Sequence, residues 1–467
     1  MLFKTTMISL DDNYRKKSGV KLNIGLINLG CPKNLVDAET LLGFISREKF
    51  KITNISDAQI AIVNTCCFIK EAAEESIDTI FKLNQLKNTG QIKLIIVAGC
   101  LPQRYKKNAF AELKEADAFV GPGKYSGINE IIKNCLDAKR EIRVSSLPDH
   151  HASIRTVPLT PNHYTYLKIS DGCSNRCHYC SIPSIRGPYR SRPWKDLKKE
   201  LGFLSSSRHL KELNIIGQDI TAYGNDLKNN TSLPALLKEI IVNTNIPWIR
   251  LLYTHPKHFK EELLDMISSE KRILRYIDLP LQHINDRILE KMNRGVTKKL
   301  ILDLLEKIKN KIPQIAVRTT FIVGFPTESD KEFHELLDFV KEQKFDRLGA
   351  FKYSPEEGTR AFSFKPRIPR HIQEERYHEL MNTQKSVSLN KNKRLAGQKI
   401  KVLVDGISTD KNYSFYGRTE SDAPEIDNTV WIRNTRVKSN RKIRIGNFYT
   451  VNIVQAKHYD LIGEITG

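Results

Sequence analysis

The hydrophobic pattern changes character twice along the chain. Between residues 22 and 100, a short apolar run, a cysteine and a stretch of helical period recur three times. Residues 24–29 precede Cys31, residues 60–63 precede Cys66, and residues 94–98 precede Cys100. The cysteines stand 35 and 34 positions apart, the length of one strand–helix–strand unit with parallel strands. A fourth run, 118–120, ends in Gly121-Pro122-Gly123 without a cysteine. The pattern predicts an open, mostly parallel α/β domain over residues 21–148, after a polar leader at 1–20. Residues 149–163 hold Pro, His, Ser and Thr with little periodicity and read as a linker.

A second alternation begins at Tyr164. Strands are expected at 164–169, 213–216, 249–253, 276–279, 315–323 and 348–353, with helical stretches such as 257–268 and 297–311 between them. Six strand–helix steps predict a partial (β/α)6, TIM-like barrel over 164–395 rather than a full eight-stranded one. Its last element is a polar helix at 371–395. After Gly397 the helical period stops. Short strands at 399–404, 414–417, 429–432, 442–445 and 448–455 predict a small antiparallel β-barrel over 396–467.

The 467 residues carry 75 Lys and Arg against 53 Asp and Glu, a formal charge of +22, and 40% are hydrophobic. That balance excludes a largely disordered chain. No apolar run approaches the ~20 residues of a membrane span. The first ten residues have neither the apolar core nor the cleavage site of a signal peptide. A cytoplasmic protein with no membrane partner is the expectation. The positive charge suits nucleic acid, a ribonucleoprotein or an anionic surface. The lysines are spread along the chain, however, as a plain solvated surface would also have them.

The cysteines say more. A chain of this length builds its core without disulfide staples, and clustered thiols in a reducing cell more often bind metal or do redox work. Cys173, Cys177 and Cys180 form C-x-x-x-C-x-x-C just after the first strand of the second domain. Three thiolates on one tight loop can hold three corners of a cubane cluster and leave the fourth iron open to a substrate. A closed zinc site would need a fourth ligand, which His178 could supply only by folding back within the loop. Cys31, Cys66 and Cys100 each sit at the C-terminal end of a predicted parallel strand, where open α/β sheets bind ligands in one crevice. They suggest a second three-thiolate cluster; the alternative is three buried structural cysteines. Cys67 and Cys135 fit neither trio and read as structural.

C-x-x-x-C-x-aromatic-C, with Tyr179 in the aromatic place, resembles the signature of the radical S-adenosylmethionine (SAM) superfamily. The resemblance implies that the open iron chelates SAM, that the reduced cluster cleaves it to a 5′-deoxyadenosyl radical, and that Tyr179 lies near the adenine. Longer phrases narrow the likeness to the methylthiotransferase family. They are Gly30-Cys31-Pro32-Lys33-Asn34-Leu35-Val36-Asp37, Asn64-Thr65-Cys66, Gly99-Cys100-Leu101-Pro102, Ile182-Pro183-Ser184-Ile185-Arg186-Gly187, Leu279-Pro280-Leu281-Gln282-His283, Val323-Gly324-Phe325-Pro326-Thr327-Glu328 and Tyr353-Ser354-Pro355-Glu356-Glu357-Gly358-Thr359. The likeness covers nearly the whole chain from about Lys21, and the last domain resembles the small barrel called TRAM. Cys67 departs from the family, which more often has Gly or Ala after the ligand cysteine; the Asn-Thr-Cys register favours Cys66 as the ligand.

Within that family, Gly30-Cys31-Pro32-Lys33-Asn34 is similar to the branch that modifies small-subunit ribosomal protein twelve. The tRNA-modifying, MiaB-like branch usually has Gly-Cys-x-Met-Asn there. Residues 417–427 of the barrel are also similar to the ribosomal-protein branch. The resemblance implies a transferase that converts an aspartate of that protein to 3-methylthioaspartate. It implies two 4Fe-4S clusters, one on Cys31, Cys66 and Cys100 and one on Cys173, Cys177 and Cys180. Two SAM molecules, a reducing electron donor and a sulfur donor complete the system, with methyl transfer to sulfur preceding the radical step. Such chemistry has a reason: the β-carbon C–H bond is unactivated, so neither a side-chain base nor a nucleophile can open it, and a cofactor must.

Further SAM contacts are expected at strand ends, from Gln218 and Asp219 after one strand, Arg318 within another and Gly324 after it. Each could equally serve packing or a turn. The acidic run Glu420, Asp422, Glu425 and Asp427 suits recognition of a basic ribosomal protein, with a solvated turn as the alternative. Two other functions stay open: methylthiolation of a tRNA adenosine, and a non-catalytic iron–sulfur or RNA-binding module on the ribosome.

Overall fold

The architecture comes from a computed structural model, which describes residues 21–145, 155–228, 231–433 and 443–466. The expected leader at 1–20, part of the expected linker, and residue 442 of one expected strand lie outside the described residues. The chain divides into two units.

The first unit is built on residues 1–159, joined by Asp171–Ser174 and Cys180–Phe203. Its sheet has six parallel strands, β1 Leu22–Asn28, β2 Phe50–Ile52, β3 Ile60–Thr65, β4 Leu94–Gly99, β5 Ala118–Val120 and β6 Glu141–Arg143, in the order β2-β1-β3-β4-β5-β6. Every residue of β3 and β4 is buried. Helices cover both faces of a parallel sheet, so its central strands are continuous apolar runs rather than alternating ones. Helices α1 Pro32–Phe44, α2 Lys70–Asn88, α3 Cys100–Glu112 and α4 Ile128–Leu136 follow strands or lie between them. One apolar core includes Ile24, Leu41, Ile62, Ile96 and Ile131; the other includes Ala61, Val63, Ile80, Val97 and Phe119. Alternate residues of β3 and β4 thus point to opposite faces, as the strand period of two requires. The strands β2 and β6 escape the sequence pattern because each is three residues long and carries charge, Lys51 in one and Glu141 and Arg143 in the other, whereas the equally short β5 is wholly apolar.

The second unit comprises Thr160–Ser170, Asn175–Tyr179 and Leu204–Gly467. Six parallel strands, β7 Tyr164–Lys168, β8 Glu212–Ile216, β9 Trp248–Leu251, β10 Ile273–Asp278, β11 Ala316–Val323 and β12 Arg347–Lys352, pair in sequence order. This is the expected partial barrel. A 24-residue helix, Arg370–Lys393, follows it. The C-terminal strands β13 Lys399–Ile407, β14 Tyr413–Arg418, β15 Val430–Arg433, β16 Phe448–Ala456 and β17 Leu461–Ile465 close a barrel in the order β13-β14-β15-β17-β16. Its pairings are antiparallel except β15 with β17, which is parallel. The fifth strand is Leu461–Ile465, not the expected 442–445, of which the described residues 443–445 are not strand. Gly463 sits where this strand crosses its neighbour: a Cβ there would meet Val451 Cγ1 at 2.3 Å, a close approach that glycine permits. No helix among the described residues is long and apolar enough to cross a membrane.

Candidate functional site

Strands β1, β3 and β4 are parallel neighbours, so their C-terminal ends lie along one edge of the sheet. The chain leaves them into Cys31, Cys66 and Cys100. Cys31 is the N-cap of α1, whose Pro32 suits the first helical position. Cys100 opens α3 directly after Gly99. Gly30 and Gly99 both have φ near +95°, and space as well as conformation demands glycine. A Cβ on Gly30 would lie 2.7 Å from Cys66 Cβ, and one on Gly99 2.7 Å from the Thr65 carbonyl. Asparagines knit the loops together. The Asn34 amide donates to the Leu29 carbonyl at 3.1 Å and the Thr65 carbonyl at 3.0 Å. The Asn64 amide donates to Asn28 Oδ1 and to the Asn34 carbonyl, both at 2.7 Å. These bonds satisfy buried backbone at the strand ends and explain the Asn-Thr-Cys register.

Burial pushes the Cys66 thiol well up, and the neighbouring Cys100 and Cys31 push it further. Burial also raises Cys100, against the opposing charge of Arg186. Thiols raised in this way in a poorly solvated site ionise only when a cation compensates them. Thiolate-bound iron supplies that charge, so the donor set fits an iron–sulfur cluster. Among the described residues, the three sulfurs are not gathered within 4.8 Å of one another, as a single ion held by all three would require. Cys67 is wholly buried in the core of Ala61, Val63 and Ile80, which also includes Cys100, and after burial the nearby Cys100 and Cys66 push its thiol up. Cys135 sits in the opposite core, with Sγ 3.6 Å from the Asp117 carbonyl. Cys135 stands apart from the site.

The second trio lies on one loop after β7. Gly172, φ +71°, passes so close to Pro188 that a Cβ would lie 2.1 Å from its carbonyl oxygen. The Cys173 amide donates to the Gly187 carbonyl at 3.1 Å. Cys173, Cys177 and Cys180 are all half-buried, in contrast to Cys66 and Cys100. Cys173 and Cys180 belong to the same unit as the first trio. There the Ser181 hydroxyl, next to Cys180, donates to the carbonyl of Phe68, two residues from Cys66, at 3.2 Å. His178 is tied down elsewhere. Its amide donates to the Met292 carbonyl at 2.9 Å, and its Nδ1 lies 2.8 Å from the Lys291 carbonyl. Its Nε2, the ring atom left for a metal, lies 3.4 Å from Arg360 Nη1, and among the described residues His178 joins no group whose ligand atoms lie within 4.8 Å of one another. Tyr179 packs against Ile288, Met292, Ile322, Phe325 and Tyr353. Buried Arg294 directs Nη1 to Cys177 Sγ at 3.7 Å.

The other expected residues divide. Asp219 caps the turn after β8, with Oδ1 accepting from the Thr221 amide at 3.1 Å. Its Oδ2 accepts from Asn175 of the cysteine loop at 2.9 Å and from His258 Nδ1 at 2.7 Å. Burial alone would raise its pKa, but the His258 bond, the nearby His255 and the bonds from Thr221 and Asn175 hold it down at about 2. Its carboxylate therefore shapes the cysteine loop. The stability it contributes is complete above the ordinary carboxylate value of about 4 and is lost as pH falls through 2. Asp219→Asn is expected to flatten the dependence of the urea midpoint on pH across that window. Gln218 is half-buried beside it. Gly324, φ +70°, follows β11, and a Cβ there would strike Gln373 Cγ at 2.5 Å, so the long helix uses its bareness.

Sequence reasoning missed His255 and His258, which follow β9. With Asp219 they are the one group among the described residues whose ligand atoms all lie within 4.8 Å of one another. The lone pair of His255 is already used. His255 Nδ1 accepts from the Lys257 amide at 3.2 Å, and burial, then Arg294, keeps this ring neutral with a pKa of about 2. Its proton therefore sits on Nε2, and no lone pair is left for a metal. The group is a hydrogen-bond cluster under the cysteine loop. A polar residue just past a barrel strand was the signal that marked it.

Two expectations need correction. Arg318 is not free for SAM: its Nη1 donates to Asp278 at 2.8 Å and its Nε to Asp427 at 3.2 Å, deep in the barrel. The acidic run of the C-terminal barrel is largely not a recognition surface. Asp422 accepts from Arg347 Nε at 2.8 Å and from the Thr419 hydroxyl at 2.6 Å. Asp427 accepts from the Tyr276 hydroxyl at 2.6 Å and Glu425 from the Tyr164 hydroxyl at 2.9 Å. Glu420 is exposed, yet its carbonyl accepts from buried Arg250 at 2.7 Å. Glu212 at the start of β8 accepts from Arg250 Nε and Arg418 Nη1, both at 2.7 Å. The acids meet residues near the N-terminal ends of the strands and plug that mouth of the partial barrel. The buried arginines need partners more than a distant substrate does. Ligands of such barrels bind at the opposite, C-terminal mouth.

Comparison with known proteins places these features. The Radical SAM superfamily matches residues 167–340, the family described as uncharacterized protein family UPF0004 matches 23–121, and the TRAM domain matches 396–466. The ribosomal protein uS12 methylthiotransferase RimO of Geotalea uraniireducens is 43% identical over 451 residues, 96% of this chain and 99% of that protein. The RimO of Desulforamulus reducens is 44% identical over 448 residues, 95% of this chain and 99% of the relative. The radical SAM methyltransferase TsrM from Kitasatospora setae, solved with cobalamin and a 4Fe-4S cluster, superposes with a TM-score of 0.53 over 81% of this chain and 79% of its own, at 13% identity. That likeness concerns the fold alone.

Proposed function

The chain belongs to the RimO family of ribosomal protein uS12 methylthiotransferases, radical SAM enzymes that transfer sulfur, and on that premise we propose that it methylthiolates the β-carbon of an aspartate in uS12, using two 4Fe-4S clusters and two SAM molecules. Cys31, Cys66 and Cys100 hold one cluster, and Cys173, Cys177 and Cys180 the other. In each, three protein thiolates leave one iron for an outside ligand. When bound, the clusters and SAM supply hydrogen-atom abstraction, the methyl group and the transferred sulfur.

The chain's own residues divide the remaining work. Buried Cys66 and Cys100 keep water from the first cluster, while the half-buried second loop admits SAM. Asp219, through Asn175 and His258, fixes the shape of that loop. Tyr179, Gln218 and Gly324 border the adenosine. An external reductant and a sulfur donor complete the system. The observation that carries this reading is the convergence of Cys31, Cys66 and Cys100 from three adjacent strand ends, in the same unit as Cys173 and Cys180.

The test is a direct assay. Reduced, anaerobic protein with SAM is offered uS12 or tRNA, and the products are read by mass spectrometry. Addition of one methylthio group to an aspartate of uS12 is expected. Its appearance on a tRNA adenosine instead would move the chain to the other branch of the family. The acids of the plug are mostly bound to buried residues and favour neither substrate, so this assay decides between the two.

A further inference from the structure

Arg186 is fully buried, yet it ends a surface-type phrase, the short helix α5 Ile182–Arg186 that begins two residues after Cys180. Its Nη2 donates to Cys100 Sγ at 3.1 Å and to Asn34 Oδ1 at 2.8 Å. Its Nη1 pairs with Asp37 of α1 and lies 3.5 Å from Asp171 Oδ2, two residues before Cys173. Asn34, Asp37, Cys100 and Asp171 are all buried as well. One side chain therefore touches a thiol of the first trio, the helix that starts at Cys31, and the strand end that leads into the second cysteine loop.

We propose that Arg186 is a positioning residue that sets the charge at the cluster of Cys31, Cys66 and Cys100 and locks that site to the neighbouring cysteine loop. The inference rests on the two-cluster reading above. A buried guanidinium costs desolvation, which two carboxylates offset here. The planar fork reaches a sulfur, an amide oxygen and two acids at once, which a lysine ammonium does with less fixed geometry. N–H donors to cluster sulfur and nearby positive charge favour the more negative, reduced state and raise the potential. Arg294 stands in the same relation to Cys177, so each trio has one buried guanidinium against a thiol.

The experiment isolates the first cluster in full-length protein whose Cys173, Cys177 and Cys180 are all changed to Ala. Its midpoint potential is followed by EPR during reductive titration. In that background R186M removes the cation and leaves Asp37 and Asp171 beside the cluster, so the potential is expected to shift downward. R186K keeps the charge and should recover part of that shift. D37N removes an opposing charge and should shift it upward. An R186M protein that keeps its cluster at the unchanged potential overturns the proposal. Should R186M lose the cluster, an unmoved potential in D37N overturns it instead. A background protein with no cluster at all overturns the two-cluster reading, and this proposal with it.

Discussion

With Cys31, Cys66 and Cys100 changed together to Ala, methylthio transfer to uS12 is expected to vanish while reduced protein still cleaves SAM to 5′-deoxyadenosine. The two activities separate because they draw on different thiols. Cleavage needs the half-buried loop of Cys173, Cys177 and Cys180, whose shape is held by Gly172 against Pro188 and by Asn175 on Asp219. None of those contacts involves the first trio. Transfer of sulfur also needs the site at the ends of β1, β3 and β4. The substitution removes three sulfurs, of which Cys66 and Cys100 are buried thiols that burial pushes up, so the bare fold should tolerate it. Liquid chromatography of the nucleoside product and mass spectrometry of uS12 read the two activities side by side. Loss of both together would mean that the trios are not functionally distinct.

The largest effect on stability is expected from Glu212→Ala. Glu212 is wholly buried, and each carboxylate oxygen meets a guanidinium, Arg250 on one side and Arg418 on the other. Arg418 retains Asp405, through Nε at 2.7 Å, but Arg250 keeps only the Glu420 carbonyl and the face of Tyr276, with its guanidinium carbon 4.6 Å from the ring centre. Breaking such a buried pair from one side costs about 3–5 kcal/mol, because the other charge is left without its counterpart. The second unit should therefore unfold at a clearly lower urea concentration. The KM for uS12 should not change, since the plug closes the mouth opposite to the one where substrates enter. A raised KM with undiminished stability would restore the acidic run as a recognition surface.

Most of the architecture was legible in the chain because buried parallel strands announce themselves as unbroken apolar runs. The runs at 60–63 and 94–98 stand within β3 and β4, and the cysteines that follow them mark the strand ends. The six strands of the partial barrel follow the same logic. What escaped depended on partners distant in sequence or on elements too short for a period. The strands β2 and β6 have three residues each. The closing strand β17 has Gly463 at its centre, a residue that weakens a strand pattern but that the barrel's close approach requires. The run from Glu420 to Asp427 read as a recognition surface, with a solvated turn as the alternative, because the cations of Asp427 and Asp422, Arg318 and Arg347, are carried on separate strands of another domain. Arg318 was misread for the same reason: a buried arginine declares its purpose only when its acids, Asp278 and Asp427, are seen around it. Arg186 belongs to a motif quoted from the sequence, yet nothing in the spacing of Ile182-Pro183-Ser184-Ile185-Arg186 points to Cys100. His255 and His258 carried only the weak signal of polar residues past a strand.

The central claim is that two separate sets of three thiols each carry a cluster. Iron and acid-labile sulfide counted in anaerobically reconstituted protein test it most directly, with wild type set beside the two triple-alanine variants, one for each trio. Each variant is predicted to keep about half the wild-type iron and sulfide, as two independent cubane sites require. A Cys31, Cys66 and Cys100 variant with the full wild-type content would contradict the account.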